Sequence, residues 1–226
     1  MENRLEGKTI IGLGDSLMYG YKLDRDKPWI AILGEKHHMD WHNYGVNGST
    51  CATPPEDDPK VMWRRLRDEV TKEKHPHVDY FIIQGGANDR NKNVPVGRIT
   101  DRWNDHDDTV KGEIHTFCGS LNYMINTVKT RWPGARILMM TNYRRRDAVS
   151  EIGTVDQDYV DAMIAVARNR NVPVMDNYYS LGIDLREPAA AGTVTDHAWA
   201  VNTECHLSEE AYRWLAPIYE QRLLEI

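Results

Sequence analysis

Ser16 closes the stretch Thr9-Ile10-Ile11-Gly12-Leu13-Gly14-Asp15-Ser16-Leu17, where a β-branched apolar run stops at Gly-Asp-Ser. Such a run reads as a buried strand, and ligands of open α/β sheets bind just past the carboxyl ends of strands. A serine there stands where a nucleophile would attack a carbonyl carbon; the plainer alternative is a serine that only caps the following helix. Three better-known motifs fail on named residues. A dinucleotide fingerprint starting at Gly12 and Gly14 needs a glycine where Leu17 stands, and the elbow G-x-S-x-G fits Gly14 and Ser16 but then meets Met18. Gly7-Lys8-Thr9 imitates the end of a phosphate loop, yet Glu2 takes the place of its first glycine and the tripeptide precedes the strand.

Three further segments fall at comparable places. Asn47-Gly48-Ser49-Thr50 follows the strand candidate Trp41 to Val46, Gly86-Ala87-Asn88-Asp89 follows Val78 to Gln84, and His206-Leu207-Ser208 precedes the last helical stretch. Taken singly, the first two also read as ordinary turns. With Gly14-Asp15-Ser16-Leu17 they resemble, in chain order, the four blocks of the GDSL or SGNH hydrolase family, a resemblance that runs from Ile10 to Tyr212. It implies an α/β fold, a flavodoxin-like three-layer α/β/α sandwich with a five-stranded parallel sheet (the SGNH hydrolase fold). It also implies roles. Ser16 is the nucleophile and His206 its base; the oxyanion hole is formed by the N–H of Ser16, the N–H of Gly48 and the side-chain amide of Asn88. An amide suits that work because it donates without adding charge. No metal or organic cofactor is implied.

One position departs from the family. Its last block reads Asp-x-x-His, and here Thr203 occupies the aspartate's place. That carboxylate fixes the tautomer of the base and stabilises the imidazolium, and impairing it in a triad enzyme of another fold costs ~10⁴ in turnover. A backbone carbonyl or Thr203 Oγ1 is the expected orienter of His206. Glu204 is adjacent but points elsewhere in an extended segment, and Asp184 and Asp196 reach only if their loop brings them. Cys205 beside His206 reads as a small buried thiol.

The elements that must position these residues follow from periodicity. Trp29 to Leu33 forms a short helical cluster ending at Gly34, and Asp58 to Lys74 carries Val61, Met62, Leu66 and Val70 at helical spacing. Arg90 to Gly112 is a long polar connection, expected as a wall or lid; its Asp105-His106-Asp107-Asp108 reads as solvated rather than metal-binding. Phe117, Leu121, Met124, Ile125, Val128 and Trp132 define a helix stopped by Pro133-Gly134. Arg136 to Thr141 is a strand that opens into Asn142 to Asp147, where Arg144, Arg145 and Arg146 form either a solvated turn or a subsite for an anionic substrate group. A helix through Tyr159 to Ala167, a short strand Val172 to Asp176 and a loop from Asn177 to Asn202 lead to the final helix, in which Pro217 is expected to produce a kink or a break.

Composition bounds the function. The 226 residues, 41% hydrophobic and 27% charged, suit one α/β domain over residues 1–226. A net charge of -6 argues against nucleic acid, and no apolar stretch reaches the length of a signal peptide or membrane span. The chain therefore reads as cytoplasmic, or as secreted with its leader removed. Cys51, Cys118 and Cys205 are too few and scattered for a disulfide framework. The resemblance implies a serine esterase. The polar chain, with Trp and Tyr near strand ends, points to a short-chain or carbohydrate O-acetyl ester as substrate, and no membrane or nucleic-acid partner. Oligomeric state is not readable. Two rivals belong to other classes: a catalytically weak or inactive module that binds an acylated glycan, motivated by Thr203, and more distantly a flavin- or nucleotide-binding module.

Overall fold

The structure, a computed structural model, describes residues 4–56, 58–101, 115–144, 149–183 and 206–226. In chain order it comprises β1 (Thr9–Gly14), α1 (Ser16–Tyr19), α2 (Trp29–Lys36), β2 (Asp40–Gly45), α3 (Met62–Asp68), β3 (Tyr80–Gln84), α4 (Ala87–Asn91), α5 (Phe117–Arg131), β4 (Arg136–Met140), α6 (Asp156–Asn169), β5 (Val174–Met175) and α7 (Glu209–Glu225). The five strands form one sheet in the order β2-β1-β3-β4-β5, and every pairing is parallel. Connections of this kind require crossover helices, which cover both faces.

Alternation along the strands divides the core. Ile10, Tyr80, Ile82, Leu138 and Met140 point to the face covered by α2 and α7, where they meet Trp29, Ile30, Leu33, Tyr212, Leu215 and Tyr219. Ile11, Leu13, Phe81, Ile83 and Met139 point to the other face, under α3, α5 and α6. The apolar runs of β1 and β3 thus reflect central strands buried on both sides, whereas β2, with the polar sequence Asp-Trp-His-Asn-Tyr-Gly, is an edge. This is the three-layer α/β fold expected.

Two elements differ from expectation. The helix predicted over Asp58 to Lys74 is confined to Met62–Asp68, because Val61 in extended geometry starts it and the chain turns at Glu69 to bury Val70. Pro217 does not break the last helix, which runs from Glu209 to Glu225. Pro217 lies on the exposed face, so the carbonyl one turn earlier that lacks an N–H partner can bond water. Of the predicted lid and arginine turn, residues 102–112 and 145–147 lie outside the described residues. No helix among the described residues is long and apolar enough to cross a membrane.

Candidate active site

The carboxyl ends of the three strands that carry the motifs lie level, with Gly14 of β1 opposite Gly45 of β2 and Gln84 of β3. The chain leaves β1 to one side for β2 and then crosses to the other side for β3. The crevice at that reversal is where doubly wound sheets bind ligands. Ser16, Gly48 and Asn88 all follow within a turn or so of these ends.

Ser16 is the first residue of α1 and is 6% exposed. The helix is capped by its neighbour: Asp15 Oδ1 accepts the N–H of Leu17 at 2.8 Å, so the hydroxyl of Ser16 is not spent on capping. Gly14 lets α1 fold this tightly onto the strand, since a Cβ there would lie 2.5 Å from Met18 Cβ and 2.9 Å from the carbonyl of Gln84. His206 Nε2 stands 3.0 Å from Ser16 Oγ, across 190 positions of sequence. Its segment is anchored by buried Leu207 and by Ser208, whose hydroxyl caps α7 by accepting from the Ala211 amide at 3.0 Å. One turn further on, Tyr212 Oη donates to the carbonyl of Leu17 at 2.5 Å, docking α7 directly on α1. The ring of Tyr21 lies against the imidazole, with centroids 4.2 Å apart and planes inclined by 33°.

The loops after β2 and β3 are cross-linked by adjacent residues. Asn88 Nδ2 donates to the carbonyl of Ser49 at 3.0 Å, next to Gly48 with its φ of +77°; the same amide nitrogen carries a second N–H. Asp89 is fully buried and accepts the N–H of Cys51 at 2.9 Å and of Ala52 at 3.0 Å. Burial pushes its carboxyl up to about 7; the two amides pull the other way, and the nearby charge of Asp15 adds to the rise. Behind it, Arg90 Nε and Asp156 Oδ1 form a buried ion pair at 2.6 Å that ties α4 to α6. Burial raises the Cys51 thiol well above its usual range, so it is inert as a nucleophile.

The structure therefore brings Ser16 and His206 into contact and puts Gly48 and Asn88 on neighbouring, mutually bonded loops. A hydroxyl in contact with an imidazole can lose its proton to it on attacking a carbonyl, while amide donors at strand ends can receive the negative charge that develops. Thr203, with Glu204, Cys205, Asp184 and Asp196, lies outside the described residues, as do Arg145, Arg146 and the Asp105 to Asp108 run. Arg144 is exposed. Among the described residues no group of three or more His, Cys, Asp or Glu is placed to hold a metal ion. Sequence reasoning missed Tyr21, the clamp made by Asp89 and the hydroxyl of Tyr212. Only Asp89 carried a signal, as an acid inside the Gly-x-Asn-Asp block; Tyr212, on the amphipathic face of the last helix, reads first as core, and Tyr21 lies in a turn without a motif of its own.

The sequence matches the model of the GDSL-like Lipase/Acylhydrolase family over residues 13–214. A solved structure with 26% identity superposes with a TM-score of 0.78, covering 98% of each chain. A possible lipase from Chitinophaga pinensis is 16% identical with a TM-score of 0.70, covering 96% of this chain and 98% of its own. The aryl esterase of M. Smegmatis is 16% identical with a TM-score of 0.64, covering 96% of this chain and 99% of its own. No curated protein matches the sequence.

Proposed function

The chain belongs to the GDSL-like lipase/acylhydrolase family of ester hydrolases, and on that premise we propose that it is a serine esterase working through an acyl-enzyme on Ser16. The observation that carries this reading is the 3.0 Å contact between Ser16 Oγ and His206 Nε2. His206 takes the hydroxyl proton as Ser16 attacks the acyl carbonyl, then returns it to the departing alcohol. The tetrahedral oxyanion is received by the N–H groups of Ser16 and Gly48 and by the Asn88 amide. Water, deprotonated by His206, then releases the acid and restores the hydroxyl. The substrate is a short-chain or carbohydrate O-acetyl ester, a small or glycan molecule rather than a membrane or nucleic acid.

The test is hydrolysis of p-nitrophenyl acetate beside Ser16→Ala, with a fluorophosphonate as covalent probe. Activity and labelling that both vanish in the variant support the reading, and a preference for long acyl chains overturns the substrate assignment. Thr203 in the place of the family's aspartate favours one other reading, a glycan-binding module with a weak or idle site. It requires ligand binding that survives Ser16→Ala and no labelling of the parent.

A further inference from the structure

Gly20 closes α1 in left-handed geometry, with φ of +83°, and both it and Tyr21 donate their backbone N–H to the carbonyl of Ser16, at 3.1 and 3.2 Å. A Cβ at Gly20 would sit 2.5 Å from Pro28 Cγ, so the turn admits only glycine on grounds of both backbone and space. The chain is thereby folded back on the residue that bears the hydroxyl. From this single anchored turn, Ser16 meets Nε2 of His206 at 3.0 Å and the ring of Tyr21 meets its imidazole at 4.2 Å between centroids.

We propose that Tyr21 is a positioning residue for His206, its ring holding the imidazole in line with Ser16 and stabilising the imidazolium that forms when the serine proton is taken. The separation and shallow inclination put the imidazole over the ring's negative face, where a cation within about 6 Å is attracted. Rotation of the imidazole about its bond to Cβ would break that contact and carry Nε2 away from Ser16 together. This matters here because Thr203, in the position where the family places a carboxylate, brings no charge to stabilise the imidazolium. The hydroxyl of Tyr21 has no part in the role. The inference rests on His206 being the base of the proposed reaction.

Among the described residues, the charged groups beside this turn and the start of α7 are Lys22, whose Nζ lies 5.3 Å from the Tyr21 ring centroid; Lys27 and Glu209, 3.8 Å apart; and buried Asp15, next to Ser16 in sequence. Lys22 rests on the Tyr21 ring, so Lys22→Ala is titrated beside the Tyr21 variants to separate its charge from the contribution of the ring. The test is an NMR titration of histidine-labelled protein, with the His206 signal identified by its loss in His206→Ala. Half-buried Tyr21 can be replaced without opening the core. Tyr21→Leu should lower the pKa of His206 by about half a unit, the worth of a partly exposed cation–π contact, and Tyr21→Phe should leave it unchanged. In p-nitrophenyl acetate hydrolysis the acid limb of kcat/KM should move down in step, with kcat reduced ~2- to 5-fold in Tyr21→Leu and KM unaltered. A His206 titration unmoved by Tyr21→Leu overturns the proposal, as does Tyr21→Phe behaving like Tyr21→Leu, or a loss confined to KM. The titration needs no turnover, so it decides the point even if the serine esterase reading fails by its own Ser16→Ala test.

Discussion

Strand β3 has an aspartate beyond each end, and the two are held in opposite ways. Asp79, before the strand, accepts the N–H of Thr9 at 2.9 Å and lies 3.3 Å from Lys8 Nζ and 3.1 Å from His77 Nε2, with its side chain 19% exposed. Partial burial alone would raise its carboxyl, but the Thr9 amide, His77 and Lys8 outweigh that and hold it below the usual carboxylate range. Asp89, after the strand, also accepts backbone amides, yet it is sealed from solvent beside Asp15 and is pushed up to about 7. The amino edge of the sheet thus satisfies its charges at the surface, as a stability device would. The carboxyl edge buries an acid at an electrostatic cost, which it carries in order to fix the two loops beside Ser16 and Asn88 to one another.

If the two edges divide labour in this way, substitutions of the groups that face the substrate at the carboxyl edge should alter turnover more than stability. Ser16→Ala and His206→Ala should each reduce hydrolysis of p-nitrophenyl acetate by ~10⁴-fold or more, with thermal melting within a degree or two of the parent. Asn88→Ala should cost ~10²- to 10³-fold in kcat, the range for removing one oxyanion donor. Lys8→Ala, at the amino edge, should leave kcat and KM untouched. Loss of activity in Lys8→Ala, or full activity in Asn88→Ala, would break the comparison.

How far the sequence foretells each edge depends on whether a contact is local. The strand runs at Thr9, Val78 and Arg136 needed only hydropathy and β-branching, and the helix from Phe117 only its spacing and the Pro-Gly stop, so the layers were legible. The places of Ser16, Gly48, Asn88 and His206 in the fold were legible because each sits in a short motif at a strand or helix end. Tyr21 and Tyr212 were not, since their roles depend on α1 and α7 meeting across the fold, and neither spacing nor residue type encodes that meeting. Pro217 misled because its effect depends on which face of the helix it occupies. Val61 and Val70 misled because apolar residues that flank a short helix extend its apparent period.

Asp89→Ala should sharpen the comparison next. It leaves the amides of Cys51 and Ala52 buried without an acceptor, worth roughly 1–3 kcal/mol each. It also frees the loop carrying Gly48, so kcat should fall ~10- to 100-fold, as for catalytic groups displaced by about 1 Å. Tyr212→Phe removes one buried hydrogen bond, to the Leu17 carbonyl, and should cost about 1 kcal/mol, measured by urea unfolding.

The pH dependence is the most discriminating, because the two aspartates should respond with opposite signs. Asp89 is raised in the folded protein, so between about pH 4, where the unfolded carboxyl titrates, and about 7 the folded state holds the extra proton. Its contribution to stability is complete below that window and is lost as pH rises through it; the penalty of Asp89→Asn should therefore shrink from pH 4 to 7. Asp79 is depressed, so its contribution is present above about pH 4 and is lost as pH falls through the folded value. The penalty of Asp79→Asn should accordingly grow as pH rises through about 4 and then stay constant. Urea unfolding of parent and both variants from pH 3 to 8 reads the two slopes directly. Penalties that run parallel would mean that the two ends of β3 hold their acids alike, and that the clamp between the site loops carries no electrostatic cost.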